Sequence, residues 1–118
     1  MRARNFLESL RYAVAGIIYA AKTQRNLRFH MVAAFMVFSL SFYLKLTTIE
    51  LLFVVFATFL VIIAEMLNTA VEAVVDLASE DVHPLARIAK DVAAGAVLIS
   101  SINALVTAVL VLWPRLTR

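Results

Sequence analysis

Residues 49–78 contain neither glycine nor proline and are largely aliphatic or aromatic, yet the stretch LVIIAEMLNTAVEAVVDLA carries Glu65, Asn68, Glu72 and Asp76. An apolar run of this length favours an α-helix, because backbone polar groups in hydrocarbon have to be paired within their own segment. A helix turns 100° per residue, so the four polar positions fall within about 80° of one another on one face. Charge is costly in hydrocarbon, so such a ridge faces a protein interior, a cation or a polar substrate. The chemistry of the chain is expected along it.

At 118 residues the chain is long enough for one domain. Its 64% hydrophobic content and mean hydropathy of +0.93 place it among all-α membrane proteins. A chain this small has few faces on which to bury a carboxylate ridge, so self-association is expected, with a neighbouring copy covering the polar face. The absence of cysteine excludes disulfides, iron–sulfur clusters and thiolate zinc sites. The net charge of +3 does not point to nucleic acid, since the basic residues gather at membrane edges, where anionic lipid is the partner.

Residues 4–21 read as an amphipathic helix on the cytoplasmic surface, with Phe6, Leu7, Leu10, Val14, Ile17 and Ile18 three and four apart and Asn5 or Ser9 as the cap. Residues 22–30 read as a polar joint. Three spans follow, over about 27–46, 49–78 and 88–113. The second exceeds the ~20 residues a bilayer needs, so its last turns, with Glu72 and Asp76, are expected to emerge at the interface. Residues 79–91 read as a polar loop in which Pro84 ends or restarts a helix, and Trp113-Pro114-Arg115 marks the exit of the third span. Arg2, Arg4, Arg11, Lys22, Arg25 and Arg28 precede the first span, Arg87 and Lys90 lie in the second connection, and Lys45 stands alone in the first. This asymmetry puts the N-terminus and residues 79–91 in the cytoplasm. No cleavable signal segment is expected, because the first apolar run starts near Met31 and no small-residue cleavage site follows it.

The ridge admits three readings. One is phosphoryl transfer, with a carboxylate as general base and another as a magnesium ligand. A second is an ion or proton relay in a transporter. The third is a solvated helix end whose acids pair with Arg87 and Lys90. Lys90 snorkels at the membrane edge or, opposite the ridge, meets nucleotide phosphate. Asp91 is placed to favour a helix dipole. Ala93, Ala94, Gly95 and Ala96 form a small-residue face suited to close helix approach, and Asn103 is expected to make an interhelical hydrogen bond. His30 and His83 lack metal-ligand spacing, and His30 reads as a hydrogen-bonded interface residue. Tyr12 is either an interface anchor or a nucleotide contact. With only Gly16 and Gly95, the chain has no glycine-rich phosphate loop of any common kind.

The segment E-M-L-N-T-A-V-E-A-V-V-D at 65–76, followed by H-P-L-A-R-I-A-K-D-V-A-A-G-A-V at 83–97, closely resembles the prokaryotic integral-membrane diacylglycerol kinase and undecaprenol kinase family. The likeness covers nearly the whole chain, including N-x-R-x-H at 26–30. It implies a homotrimer in the bacterial cytoplasmic membrane, using ATP and Mg2+, with active sites between subunits on the cytoplasmic side. By this resemblance Glu65 is the base that takes the proton of a lipid alcohol, Asn68 helps position it, and Glu72 holds the magnesium carried by ATP. Lys90 and Asp91 match nucleotide contacts, as do Tyr12, Asp81, Val82 and His83, and the face near Ala94 borders the lipid chain. Family members usually carry a glutamate as a second metal contact where this chain has Gln24, whose neutral amide binds magnesium more weakly. The likeness favours undecaprenol as acceptor, with diacylglycerol second. Two rivals, an ion-coupled transporter subunit and a catalytically silent scaffold, use the same residues differently.

Overall fold

The computed structural model describes residues 2, 4–79 and 83–118, and all of its regular structure is helical. Asp81 and Val82 lie outside the described residues. Five helices follow in chain order: α1 (Phe6–Thr23), α2 (Arg25–Tyr43), α3 (Thr48–Ala78), α4 (Pro84–Val111) and the single turn α5 (Trp113–Leu116). Among the described residues, α3 and the stretch from α4 through α5 are long and apolar enough to cross a bilayer.

Local chemistry sets each boundary. The Asn5 side chain accepts from the Glu8 N–H at 2.9 Å, so Asn5 caps α1, and the Glu8 carboxylate reaches back to the Arg4 N–H at 2.8 Å. The polar stretch 22–30 is helical on both sides of Gln24, the one residue there with extended dihedrals. The reason is Arg28, which donates to the carbonyls of Ala21 and Lys22 at 3.0 and 2.9 Å and so satisfies the end of α1 from the first turns of α2. Leu27 is fully buried between them. Helix α2 closes with Lys45 N–H to the Phe42 carbonyl and Leu46 N–H to the Ser41 carbonyl, both 3.2 Å, around Lys45 at φ 55°. This is a Schellman cap with lysine at the left-handed position. Thr47 and Glu50 then form a reciprocal capping box at the head of α3.

The expected loop over 79–91 is short, because His83 caps α4, accepting from the Leu85 N–H at 3.1 Å, and Pro84 occupies its first turn. Asp91 is therefore two turns inside α4, too far along to serve the helix dipole, and it pairs with Arg87 at 3.8 Å instead.

Helices α3 and α4 form the main antiparallel pair. Asp76 meets Lys90 at one end (2.7 Å), and at the other Arg115 grips Glu50, its Nε donating to Glu50 Oε2 at 2.9 Å. The two clasps stand roughly 39 Å apart along α3 at 1.5 Å per residue, beyond the ~30 Å hydrocarbon core, so both fit polar membrane faces. Val54, Ala57, Val61, Ala64, Glu65 and Thr69 form the buried stripe of α3. Large side chains such as Phe35, Phe42, Phe56, Leu98 and Leu110 face outward. A Cβ on Gly95 would meet nothing within 4 Å, so no close helix approach is made at Gly95 among the described residues.

Candidate active site

The ridge on α3 forms as its periodicity requires, but its members occupy different surroundings. Glu65 is buried to 2% exposure, and its Oε1 has no hydrogen-bond partner. It faces α2, where His30 Nε2 lies 3.5 Å from that oxygen. Thr69, one turn on, spends its hydroxyl on the Glu65 backbone carbonyl at 2.9 Å, leaving the carboxylate alone with the histidine. Asn68 donates from Nδ2 to Glu72 Oε1 at 3.0 Å, while its buried Oδ1 has no partner. Two buried acceptors without a donor, one turn apart, are costly unless something supplies a proton to them. Asp76, further along, is exposed and held by Lys90.

Height along α3 sorts these groups. From Glu65, Glu72 lies about 10 Å and Asp76 about 16 Å nearer the end of α3 that carries the Asp76–Lys90 clasp. A groove of about 650 Å³ runs between α3 and α4, lined by Leu60, Ile63, Leu67 and Val71 facing Ala93, Ala96 and Ile99. Asn68 lines this groove and also touches Glu72, so it joins the apolar cleft to the ridge. Ser100 and Asn103 are the remaining polar side chains of the lining. Asn103 makes no interhelical hydrogen bond among the described residues and lines the groove instead.

The other candidates stand apart from this core. Ala94 is exposed, and its neighbours Ala93 and Ala96 border the groove instead. Lys90 is tied to Asp76, with Glu72 also near enough to act on its charge, and Asp91 is tied to Arg87. His83 borders a shallow hollow of about 370 Å³ with Val75, Ser79 and Ala86. Tyr12 borders another on α1 with Glu8, Arg11 and Ala15. Gln24 is half-buried at the α1–α2 break, and its side chain makes no capping hydrogen bond. His30, read from the sequence as a hydrogen-bonded interface residue and the last residue of N-x-R-x-H, has Glu65 as its neighbour. That partner was not legible, since a contact from α2 to α3 leaves no periodic trace.

Among the described residues no three His, Cys, Asp or Glu side chains gather into a metal cage. Magnesium that arrives with a nucleotide needs only one or two protein carboxylates beside the phosphates. Glu72, fixed by Asn68, fits that mode.

Fold and site together define a class: an all-helical membrane protein whose buried carboxylate and polar ridge adjoin an apolar cleft. The profile described as prokaryotic diacylglycerol kinase matches residues 11–112, and the chain belongs to this family of lipid kinases. It is 45% identical over 115 residues to a diacylglycerol kinase of Synechocystis sp., an alignment taking in 97% of this chain and 66% of that protein. It is 38% identical over 111 residues to an undecaprenol kinase of Bacillus subtilis, covering 94% and 90% of the two chains. A diacylglycerol kinase of Escherichia coli is 33% identical over 102 residues, covering 86% and 84%. Family membership favours the kinase reading of the ridge over ion transport.

Proposed function

We propose that this chain transfers the γ-phosphate of ATP to the hydroxyl of a membrane lipid alcohol, with undecaprenol as the preferred acceptor and diacylglycerol the second. The observation that carries the reading is the pair of donorless acceptors, Glu65 Oε1 and Asn68 Oδ1, at the foot of a ridge beside an apolar cleft. A lipid alcohol brings an alkyl chain for the cleft and a hydroxyl proton for the carboxylate.

The ladder along α3 follows the order of the reactants. Glu65 sits deepest and takes the hydroxyl proton as the alkoxide oxygen attacks Pγ; the new O–Pγ bond forms while the bond from Pγ to the ADP oxygen breaks. Glu72 and Gln24 would hold magnesium, which supplies charge neutralisation on the phosphates when bound. Lys90, nearest the aqueous end, faces the remaining phosphates once it leaves Asp76, and an exposed, solvent-screened ion pair of that kind opens readily. Asp91, Tyr12, Asp81, Val82 and His83 complete the nucleotide side in this reading. Chemistry here comes from positioning and electrostatics, without a glycine cradle.

The same reading makes residues 1–118 one membrane-embedded kinase domain, with a surface helix over 4–21 and spans over about 27–46, 49–78 and 88–113. Helix α2 supplies the first span, its 19 residues reaching about 28 Å. The basic residues before it hold the site on the cytoplasmic side of the bacterial inner membrane, where ATP is. Three copies form the working unit.

Purified protein in vesicles, given labelled ATP and a panel of lipid alcohols, tests the proposal. Labelled undecaprenyl phosphate forming faster than phosphatidic acid supports it. Faster phosphatidic acid exchanges the order of acceptors, and no labelled lipid leaves the silent-scaffold reading that Gln24 suggests.

A further inference from the structure

A buried base that has taken a proton has to lose it before the next turnover, and α3 offers Glu65 no way to do so. The Glu65 side chain is 3% exposed. Thr69 is committed to a backbone carbonyl, and the Asn68 amide does not titrate. The charged groups that act on Glu65 are His30, from α2, and Glu72, on its own helix. Glu72 is itself an acid, engaged by Asn68. His30 differs on each count. Its side chain is 22% exposed, its Nε2 is 3.5 Å from Glu65 Oε1, and it lies three residues beyond the fully buried Leu27, which pins the start of α2. Phe29 packs edge-on against its ring with centroids 5.6 Å apart. The imidazole thus meets the buried carboxyl through Nε2 while part of its side chain stays exposed at the head of α2.

We propose that His30 is a positioning residue for Glu65 that also carries the lipid-derived proton out to water. The inference rests on the reading of Glu65 as the base. After phosphoryl transfer, protonated Glu65 gives its proton from Oε1 to Nε2 of a neutral imidazole that bears hydrogen on Nδ1. The imidazolium then releases the Nδ1 proton to water, which restores the carboxylate and leaves the ring as its Nε2–H tautomer. Rotation of the partly exposed ring lets water return hydrogen to Nδ1 and take it from Nε2 before the next turnover, with no other reactant consumed. Histidine suits this task because its two nitrogens exchange protons near neutral pH. The 3.5 Å separation is longer than a working hydrogen bond and has to shorten as the reaction proceeds.

The test compares the unaltered chain with His30→Ala and His30→Gln, each checked for helix content and assembly in detergent. His30→Ala is expected to lower kcat about 100-fold while moving the KM for ATP less than about threefold. Added imidazole should recover about tenfold of that loss, because it can occupy the space and shuttle protons. His30→Gln keeps a polar side chain of similar reach but does not titrate, so it should be as slow and gain nothing from imidazole. Equal activity in all three chains, or full activity in His30→Gln, overturns the proposal. A second readout needs no turnover: a hydrophobic carbodiimide adds to protonated buried carboxyls, and Glu65→Gln identifies the Glu65 adduct by mass. Labelling of Glu65 in His30→Ala should be at least about threefold faster than in the unaltered chain. An unchanged labelling rate overturns the proposal on its own. Should the unaltered chain phosphorylate no lipid alcohol, the reading of Glu65 as base falls, and the labelling rate alone decides whether His30 draws its proton.

Discussion

Glu65 and Glu72 are carboxylates of one helical face, two turns apart, and their surroundings divide their work. Glu65 is buried with an unpaired oxygen, the setting that its proposed role as base requires. Glu72 is half-buried and hydrogen-bonded by Asn68, the setting of a charge held in place. Glu65→Gln keeps shape and volume but removes the base, so phosphotransfer from labelled ATP should fall by about 10²–10⁴-fold with helix content unchanged. Normal turnover in that variant would take Glu65 out of the mechanism. Gln24→Glu adds a charged oxygen where the family usually has one, so half-maximal activity should need several-fold less magnesium. A magnesium titration matching the unaltered chain would place the metal elsewhere. The ridge was legible in the sequence because spacing on one helix fixes which face each residue takes. The pairing of Glu65 with His30 was not, since it joins side chains from different helices, whereas the Lys90–Asp76 pair follows the reading in which acids at the end of the ridge meet Lys90.

At the scale of elements, polar composition misled the reading in two places for one reason. Residues 22–30 and 79–91 are rich in charge, which suggests loops, yet most of both is helix. Helices that outrun the hydrocarbon carry polar residues on their last turns, so charge there marks the membrane edge and not the helix end. The caps mark the true ends: Asn5, Thr47 and His83 each accept from a first-turn N–H. The turn from α2 to α3 holds the one non-glycine residue with positive φ among the described residues, Lys45 at 55°. A side chain in that region costs about 1–2 kcal/mol, partly offset by the greater backbone freedom glycine gains when unfolded. Lys45→Gly should therefore stabilise the protein by about 0.5–1 kcal/mol, read as a shift of the denaturation midpoint in detergent. An equal or lower midpoint would mean that the Lys45 side chain contributes something at that edge which outweighs its strained backbone.

For the whole molecule, exposed surface area is what the proposed assembly has to account for. The chain exposes 9087 Å², whereas a globular monomer of 13.1 kDa exposes about 6,400 Å². Its extents are 54 × 38 × 21 Å, a slab about two helices thick. A slab of that kind has no third layer to close over the ridge. The excess of roughly 2,700 Å² is enough for two standard patches of about 800 Å² per copy, with the rest left to lipid, which suits a closed ring in which each copy has two neighbours. In the proposed ring, Lys90, once released from Asp76 of its own chain, is the cation that faces phosphates held on a neighbour's ridge. Subunits carrying Glu65→Gln and subunits carrying Lys90→Ala should each be inactive alone. Co-assembled in equal amounts as random trimers, they should regain about one quarter of the unaltered activity, because one ordered pair of neighbours in four then brings an intact Glu65 together with an intact Lys90. A mixture as inactive as its parts would confine both residues to a single subunit, and a detergent-corrected mass other than three copies would remove the trimer itself.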